Sequence, residues 1–334
     1  MTETMRAVVQ RGYGSPDRVL ELTEIERPEP GAGEVLVRLH ATSVNTPDWV
    51  LVTGTPAVLR LGAGLRRPAA PVRGSDIAGT VAAVGPGVTD LAVGTEVFGS
   101  VWQNRAGAGA GTFAEYTVAP ADQLLRKPAE LPSAEAAAAV MSGITALTAV
   151  RDAAGAGPGT RLLINGASGG VGTFAVQIAA RLGARVTAVC SARNAEFVRA
   201  LGAERVIDYA VEDYTRGTER YDAILDNVLN HPPAASAGVL TPTGVLIPNS
   251  VGRGSALLAG LPRMARAATM RWTGTRVRTV TCVPDRANLS AVAALLGTGE
   301  VTAVVERSYP LAEAARAVAH MLGHRARGNI VITP

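Results

Sequence analysis

Two hydrophobic periodicities divide the chain. Up to about residue 125, short runs separated by Gly and Pro alternate apolar with polar residues, as in Glu34–His40, which is typical of half-buried strands. From about residue 133 the spacing becomes helical, first over 133–141 with Ser133 as N-cap and then over 143–153. The pattern therefore predicts a compact β domain followed by a domain that contains helices.

Beyond residue 160, strands and helices alternate. The pattern predicts five strands and the helices between them: strands 161–165, 185–190, 204–207, 221–225 and 244–248, and helices 170–182, 194–201 and 234–240. Such alternation builds a doubly wound α/β fold, a parallel sheet with helices on both faces. A further strand is predicted over 276–283. The tail, with helix 311–323 and strand 328–333, is expected to return to the β domain.

A glycine-rich turn joins the first of these strands to its helix, in the segment RLLINGASGGVG over 161–172. Ala167, Gly169 and Gly172 have the spacing of the dinucleotide-binding fingerprint, with Ala in the first place. Gly169 lets the backbone approach a pyrophosphate, and Gly172 lets helix and strand pack closely. The helix N-terminus offers N–H groups to the phosphates. The predicted pyrophosphate lining is Ser168, Gly169, Gly170 and Val171.

The end of the next strand bears on which dinucleotide binds. An NAD-binding protein places Asp or Glu there, about 20 residues after the glycines, to bond the ribose 2′-hydroxyl. This chain has Ser191, with Arg193 two residues on. A guanidinium suits a 2′-phosphate, so we expect NADPH as the cofactor. The alternative is that Arg193 only begins the next helix in solvent.

Composition excludes several other classes. With 334 residues, of which 47% are hydrophobic, two ordinary domains are expected, and no apolar run reaches the roughly 18 residues of a membrane span. The net charge of +4 comes from arginines spread along the chain among few aromatics, so no nucleic-acid partner is expected. Two cysteines, Cys190 and Cys282, and the lack of an apolar leader favour a cytoplasmic protein without disulfides.

Motifs in register along nearly the whole chain carry a family resemblance. They are SVNTPD at 43–48, GSDIAG at 74–79, GITAL at 143–147, NGASGGVG at 165–172, LGAERVIDY at 201–209 and ARGNIVI at 326–332. The chain resembles the medium-chain dehydrogenase/reductase superfamily, in the zinc-free quinone-oxidoreductase-like branch that includes zeta-crystallin. The resemblance implies a GroES-like β domain, residues 1–125 and 285–334, and a Rossmann domain, residues 126–284. It also implies a homodimer that joins Rossmann sheets edge to edge through the 276–283 strand.

The resemblance also assigns further cofactor residues. Tyr209 matches a residue near the adenosine phosphate, and four others match positions that face the nicotinamide half or the phosphates: Thr145, Asn227, Asn249 and Asn329. Alternatives remain open for each. Tyr209 is also a plausible core-edge aromatic, and Asn in loops commonly makes local turn bonds.

Two positions where zinc-dependent relatives carry ligands are different here. Asn45 stands where those relatives have Cys, and Ser75 where they have His, so no metal is expected. Without a Lewis acid, the substrate must already accept hydride well, as a quinone or a C=C conjugated to a carbonyl does. Asn45 is a candidate donor to the carbonyl oxygen as enolate charge develops. Asp48 is a candidate to orient Asn45 or a water, with a capping or salt-bridge role as the alternative.

These features lead to three hypotheses of function. The first is a metal-independent, NADPH-dependent reductase that passes hydride to an apolar or planar electrophile, either a quinone or an α,β-unsaturated carbonyl. The second is a pathway-specific natural-product reductase or reductive cyclase. It is favoured by the apolar 53–73 segment, a candidate lid, and by the lack of a Tyr soon after Asp48. The third is a non-catalytic NADPH-binding or sensor protein.

Overall fold

The computed structural model describes residues 3–102, 111–250 and 257–334. Its contacts divide the chain into two compact units, Met1–Ile144 with Val283–Pro334, and Thr145–Cys282. The first division falls later than the sequence-based boundary at residue 125. The segment around 133–144 belongs with the first unit, where the backbone N–H of Met141 donates to Asp76 and the Ser142 hydroxyl donates to Asn329.

The described residues form helices and strands in both units. From the N-terminus they are β1 (Thr4–Gln10), α1 (Pro16–Val19), β2 (Leu20–Glu26), β3 (Glu34–Val44), α2 (Thr46–Thr53), α3 (Arg60–Ala63), β4 (Asp76–Val84), β5 (Glu96–Ser100), β6 (Tyr116–Pro120), β7 (Leu124–Arg126) and α4 (Ser133–Leu147). In the second unit they are β8 (Arg161–Asn165), α5 (Gly170–Arg181), β9 (Arg185–Cys190), α6 (Ala195–Ala200), β10 (Arg205–Asp208), β11 (Tyr221–Asp226), α7 (Pro233–Ala237), β12 (Leu240–Pro248), α8 (Leu261–Met270) and β13 (Arg276–Val277). The chain ends with α9 (Arg286–Gly297), β14 (Val305–Pro310), α10 (Ala314–Leu322) and β15 (Asn329–Thr333).

In the first unit, β3 lies at the centre of a seven-stranded sheet. It pairs antiparallel with β4, β6 and β15, and the sheet continues through β5 and β7 on one side and β14 on the other. The alternation over 34–40 predicted a half-buried strand, but Val35, Leu36 and Val37 are all buried. A strand with neighbours along both edges and side chains packed on both faces has little solvent-exposed surface. The tail returns to this unit as β15, as predicted.

A single long helix replaces the two predicted over 133–141 and 143–153. Helix α4 runs through Gly143 and continues as a wider π-helical turn, Thr148–Ala153. Ala136 to Val140 are fully buried, so packing outweighs the weak helix propensity of one glycine. Within the described residues, Ser133–Ala153 is the one helix long and apolar enough to cross a membrane, and most of it is buried inside the protein.

The 53–73 segment, the candidate lid, is partly helical. It contains a 3-10 turn, Ala57–Leu59, followed by α3. The hydroxyl of Tyr13 donates to the carbonyl of Gly64 at 2.6 Å, and the Arg60 guanidinium stacks 4.6 Å from the centre of the Tyr13 ring. The segment is therefore tied to the β1–β2 region. Leu61 and Leu65 remain exposed on it.

In the second unit, six parallel strands form a doubly wound sheet. Their order is β10-β9-β8-β11-β12-β13, so the sequence runs outward in both directions from β8 and β11. Leu162, Leu163 and Ile164 of β8 are fully buried, as expected for a strand covered on both faces. Ligands bind such sheets at the carboxyl ends of the strands where the order reverses. That point lies between β8 and β11.

The edge strand β13 is shorter than predicted. The sequence indicated a strand over 276–283, but only Arg276 and Val277 pair with β12. The ladder on β12 stops short of Pro248, which has no N–H to donate. The prediction of an edge position for this strand is confirmed, and its predicted length is wrong.

Candidate functional site

The turn after β8 is hydrogen-bonded to the neighbouring strand β9. The backbone N–H groups of Gly166 and Ala167 both donate to the carbonyl of Val189, each at 3.1 Å. Gly166 has a φ of 79°, a conformation that favours glycine, and Ala167 is fully buried. The chain thereby reverses within a few residues and enters α5 at Gly170.

Glycines at two positions of this turn serve different purposes. A Cβ at Gly172 would lie 2.2 Å from the carbonyl oxygen of Gly166, so only glycine lets α5 approach the turn this closely. A Cβ at Gly169 would meet only that same oxygen, at 3.6 Å. No side chain caps α5, since its N-cap is Gly169. The N-terminus of α5 is thus bare, with the half-buried backbone of Ser168 to Val171 around it, and this cradle fits a pyrophosphate.

The predicted ribose-phosphate residues lie beyond the carboxyl ends of β9 and β10. Ser191 is half-buried and precedes a 3-10 turn that contains Arg193, whose side chain is exposed. Tyr209 is 62% exposed, and its backbone N–H donates to the carbonyl of Cys190 at 3.3 Å. The exposure of Tyr209 removes the alternative of a core-edge aromatic. The side chains of Arg193 and Tyr209 are therefore both accessible to a ligand.

A polar network lies at the switch point between β8 and β11. Asp226 Oδ1 accepts from Asn165 Nδ2 at 2.8 Å and from the backbone N–H groups of Val228 and Leu229. Asn165 also donates to Asn230 Oδ1 at 2.9 Å. Asp226 thereby holds the loop after β11 in place, although Leu229 must adopt a φ of 56°.

This network brings two predicted cofactor residues together. Asn249 Nδ2 donates to Asn227 Oδ1 at 2.8 Å. The buried Nδ2 of Asn227 has no hydrogen-bond partner among the described residues. A buried amide nitrogen without an acceptor is costly, so it fits a ligand that accepts a hydrogen bond here. The turn, the bare helix end and Asn227 together fit a dinucleotide.

The other two predicted cofactor residues lie elsewhere in the chain. Thr145 is buried in α4. Asn329 belongs to the first unit, where its Oδ1 accepts from the Ser142 hydroxyl at 2.7 Å and its Nδ2 donates to the Val304 carbonyl at 3.2 Å. Both ends of the Asn329 amide are therefore engaged with the protein. Roles for Thr145 and Asn329 toward the cofactor remain predictions.

In the first unit, Asn45 lies inside a buried polar cluster. Its Nδ2 donates to Asp76 Oδ2 at 2.7 Å and to Ser43 Oγ at 3.0 Å, and Ser43 Oγ donates to the same Asp76 oxygen at 2.5 Å. Asn45, Ser43 and Asp76 are all buried. Both amide hydrogens of Asn45 are thus committed within the protein. Donation to a substrate oxygen, as the sequence suggested, would require one of these bonds to break.

Asp48 takes the capping role that was the alternative for it. Its Oδ2 accepts from the Asn45 backbone N–H at 2.7 Å, at the start of α2, and its Oδ1 accepts from the Gly74 N–H at 3.0 Å. Gly74 has a φ of 91°, and a Cβ there would lie 2.3 Å from the Thr112 hydroxyl. The carboxylate therefore joins the N-terminus of α2 to the turn before β4 and places Asn45 between two carboxyl groups.

Burial shifts the pKa values of both carboxyl groups upward. Desolvation raises the pKa of Asp76 to about 7, against the hydrogen bonds from Ser43 and Asn45. Desolvation likewise raises the pKa of Asp48 to about 6, while its backbone hydrogen bonds and the charge of Arg73 act to lower it. Near neutral pH this cluster therefore holds a proton that exposed aspartates would have released.

Several members of these clusters were not singled out from the sequence. Ser43 and Asp76 lie within the quoted motifs at 43–48 and 74–79, but nothing in their spacing marks them as partners of Asn45. Asn165 and Asp226 end two buried strands, and their pairing follows only once β8 and β11 are known to be neighbours. Groups of three or more potential metal ligands are absent from the residues described.

The doubly wound sheet and its glycine turn define a dinucleotide-binding class of protein. Comparison with known proteins agrees. Residues 31–129 match the family model of the alcohol dehydrogenase GroES-like domain, and residues 201–332 match the model described as zinc-binding dehydrogenase.

Among individual proteins, the chain is 32% identical to a chloroplast envelope quinone oxidoreductase homolog of Arabidopsis thaliana, over 99% of this chain and 98% of that protein. It is 31% identical to a mitochondrial NAD(P)H oxidoreductase of Mus musculus, over 90% of this chain and 81% of that protein. It superposes on the quinone oxidoreductase of Coxiella burnetii with a TM-score of 0.87 at 26% identity, covering 99% of this chain and 100% of the other.

The chain belongs to the medium-chain dehydrogenase/reductase superfamily, in the zinc-free quinone-oxidoreductase-like branch. It is an oxidoreductase with a GroES-like unit and a Rossmann unit, and it uses a nicotinamide cofactor. The family and fold expected from the motifs are confirmed. The third hypothesis, a non-catalytic binding protein, loses its support.

Proposed function

We propose that the protein is a metal-independent reductase that uses NADPH and transfers hydride to a quinone or to the C=C of an α,β-unsaturated carbonyl. The observation that carries the proposal is a cofactor cradle in the second unit combined with Asn45 and Ser75 at positions where relatives hold zinc. An amide and a hydroxyl are not the Cys, His and carboxylate ligands of catalytic zinc sites. The acceptor must therefore be reactive without a Lewis acid.

The choice of NADPH rests on Ser191 and Arg193. Neither can accept hydrogen bonds from a ribose 2′-hydroxyl in the way that a carboxylate does, and the exposed Arg193 guanidinium suits a 2′-phosphate. When bound, NADPH supplies the hydride. The protein contributes the backbone of Ser168 to Val171 for the pyrophosphate and the amide of Asn227 at the switch point.

Two further properties belong to the same proposal. A homodimer that pairs β13 with its copy is supported by the edge position of that strand in the Rossmann sheet. A cytoplasmic location is supported by Cys190 and Cys282, which form no disulfide bond with each other. Size-exclusion chromatography with light scattering tests the dimer.

The experiment that tests the activity follows the near-ultraviolet absorbance of NADPH with a panel of benzoquinones, naphthoquinones and enones, and repeats each assay with NADH. We expect oxidation of NADPH by at least one acceptor class, with a higher kcat/KM for NADPH than for NADH. Metal removal with a chelator should leave the rate unchanged. No oxidation by any acceptor would refute the proposal, and loss of activity on chelation would refute its metal-independent part.

A second candidate is a pathway-specific natural-product reductase or reductive cyclase. It is favoured by the exposed Leu61 and Leu65 on the 57–65 segment, which present apolar surface without a partner in the described structure. Enones with progressively longer alkyl chains separate the two candidates. A kcat/KM that rises steadily with chain length supports the second, whereas equal values for short and long enones support a general quinone or enone reductase.

A further inference from the structure

Arg73 is a buried cation in the first unit. The residue is only 5% exposed. Its buried Nε has no hydrogen-bond partner among the described residues. Burial lowers the pKa of the guanidinium, yet arginine keeps its proton in proteins. A buried charged donor without an acceptor among the described residues is costly, so this site fits a ligand that accepts a hydrogen bond from Arg73.

The neighbours of Arg73 do not supply that acceptor. The carboxylate of Asp48 acts on it by charge, and Tyr13 also lies near it. Both oxygens of Asp48 already accept backbone N–H groups, from Asn45 and Gly74. The hydroxyl of Tyr13 donates to the Gly64 carbonyl. Asp48 thus offsets the charge of Arg73, while the Nε–H of Arg73 has no acceptor among the described residues.

Arg73 is also close in the chain to the residues of the proposed site. It directly precedes Gly74, whose N–H holds Asp48, and Asp48 holds the backbone of Asn45. Asn45 was the donor expected from the sequence, but its amide hydrogens are committed to Ser43 and Asp76. The charged donor beside this cluster is therefore Arg73.

We propose that Arg73 donates hydrogen bonds to the carbonyl oxygen of the acceptor, as that oxygen gains negative charge. The inference rests on the proposed function. With an enone, hydride adds to the β-carbon and the π electrons move onto the carbonyl oxygen, which gives an enolate. With a quinone, hydride adds to one carbonyl oxygen and an electron pair moves through the ring onto the other carbonyl oxygen, which gives a hydroquinone monoanion. Arg73 keeps its own proton and stabilises the anion by charge. A proton from water then completes the reduction.

The expected loss of kcat on removing Arg73 can be taken from other preorganised hydrogen-bond donors to an oxyanion. Removing one such donor lowers kcat about 100- to 1000-fold. A group that stabilises developing charge matters most for acceptors that stabilise it poorly themselves. Loss of Arg73 should therefore cost the most with electron-rich quinones and the least with electron-poor ones. A purely structural role would lower the rates of all acceptors by a common factor.

The test compares Arg73→Met and Arg73→Lys with Arg11→Met, which removes an exposed arginine that follows β1 and pairs with Glu21. Rates of NADPH oxidation are measured with benzoquinones of graded substituents. Circular dichroism and urea unfolding confirm that each variant is folded. We expect the plot of log kcat against substituent electron withdrawal to be steeper for Arg73→Met than for wild type. Arg73→Lys should be intermediate, Arg11→Met unchanged, and added guanidinium should partly restore Arg73→Met.

A binding measurement supplies an independent readout. 4-Nitrophenol carries an oxyanion in its coloured phenolate form, and its visible spectrum reports which form is bound in the presence of NADP⁺. Wild type and Arg11→Met should bind the phenolate, and Arg73→Met should bind it at least about 10-fold more weakly, as the loss of a charge-assisted bond implies.

The two possible failures are distinguishable. If wild type reduces quinones but Arg73→Met keeps both the wild-type slope and the wild-type phenolate affinity, the role of Arg73 is overturned and the proposed function stands. If wild type reduces no quinone or enone, the proposed function fails and the role of Arg73 fails with it. Should Arg73→Met not fold, Arg73→Lys decides by the same two measurements.

Discussion

Replacing Gly169 by alanine should separate cofactor binding from folding. Gly169 has a φ of −84°, which alanine adopts readily, and the added Cβ would lie 3.6 Å from the nearest atom, an ordinary contact. Alanine is a poorer N-cap than glycine, so the free energy of unfolding should fall by no more than about 1 kcal/mol. The methyl group nevertheless projects beside the bare N-terminus of α5, where the pyrophosphate is expected.

The expected loss of affinity follows from the bonds at that helix end. A hydrogen bond from a backbone N–H to a charged phosphate contributes about 1.5–3 kcal/mol. Displacing the phosphates from one such N–H should therefore raise the Kd for NADPH roughly 10- to 100-fold. Titration with NADPH, followed by its fluorescence or by calorimetry, measures this change. Urea unfolding without cofactor measures the stability.

Gly172→Ala is the matched control. Its Cβ would lie 2.2 Å from the Gly166 oxygen and 2.7 Å from two backbone atoms of Ala167, so α5 must move away from the turn. Overpacking of this kind costs about 1–3 kcal/mol, and both stability and affinity should fall. If Gly169→Ala binds NADPH as tightly as wild type, the pyrophosphate does not lie against Gly169. If Gly169→Ala is as unstable as Gly172→Ala, the steric reasoning is wrong.

Three further predictions address charge. Burial raises the pKa of Asp76 to about 7, from 3.8 for an exposed Asp, so the folded protein holds a proton that the unfolded chain releases, and stability should fall as pH rises between those values. In urea titrations, Asp76→Asn should remove the part of this fall that Asp76 contributes, on the order of 4 kcal/mol, and leave the part that comes from Asp48; an unchanged slope would contradict this. Arg193→Ala should reduce the preference for NADPH over NADH about 10-fold or more. The control, Arg185→Ala at the opposite end of β9, should leave this preference unchanged. Equal effects of the two substitutions in steady-state assays would refute the 2′-phosphate role of Arg193. Asp226→Ala should lower the free energy of unfolding by roughly 3 kcal/mol, because two backbone N–H groups and Asn165 lose their acceptor, and a urea midpoint equal to that of wild type would contradict this.

Features that depend on neighbours in the chain were predictable from the sequence. The strand, turn and helix over 161–181 follow from an apolar run, small residues at fixed spacing and a helical pattern, and the structure reproduces them within a residue. The family could also be predicted from the sequence, because its motifs are short and occur in a fixed order. Predictions were weaker where packing competes with local preference, as at Gly143 within α4 and at the truncated strand β13.

The contacts of the candidate catalytic residues could not be predicted from the sequence. Asn45 and Asp48 were chosen from their positions in a motif, and their catalytic roles remain predictions. Asp48 caps α2 and holds Gly74, while Asn45 binds Asp76, which is 31 residues away in the chain. No local pattern reports that two strands bring an amide and a carboxyl group within hydrogen-bonding distance.

The amino-acid sequence by itself determined the class of cofactor, the family and the order of most elements, since these depend on residue type and short-range spacing. The tertiary structure decided which polar groups hydrogen-bond to one another and which have no partner within the described structure. Burial and hydrogen bonding are set by contacts between distant segments, and they leave Asn45 occupied and the Nε of Arg73 without a partner in the described structure.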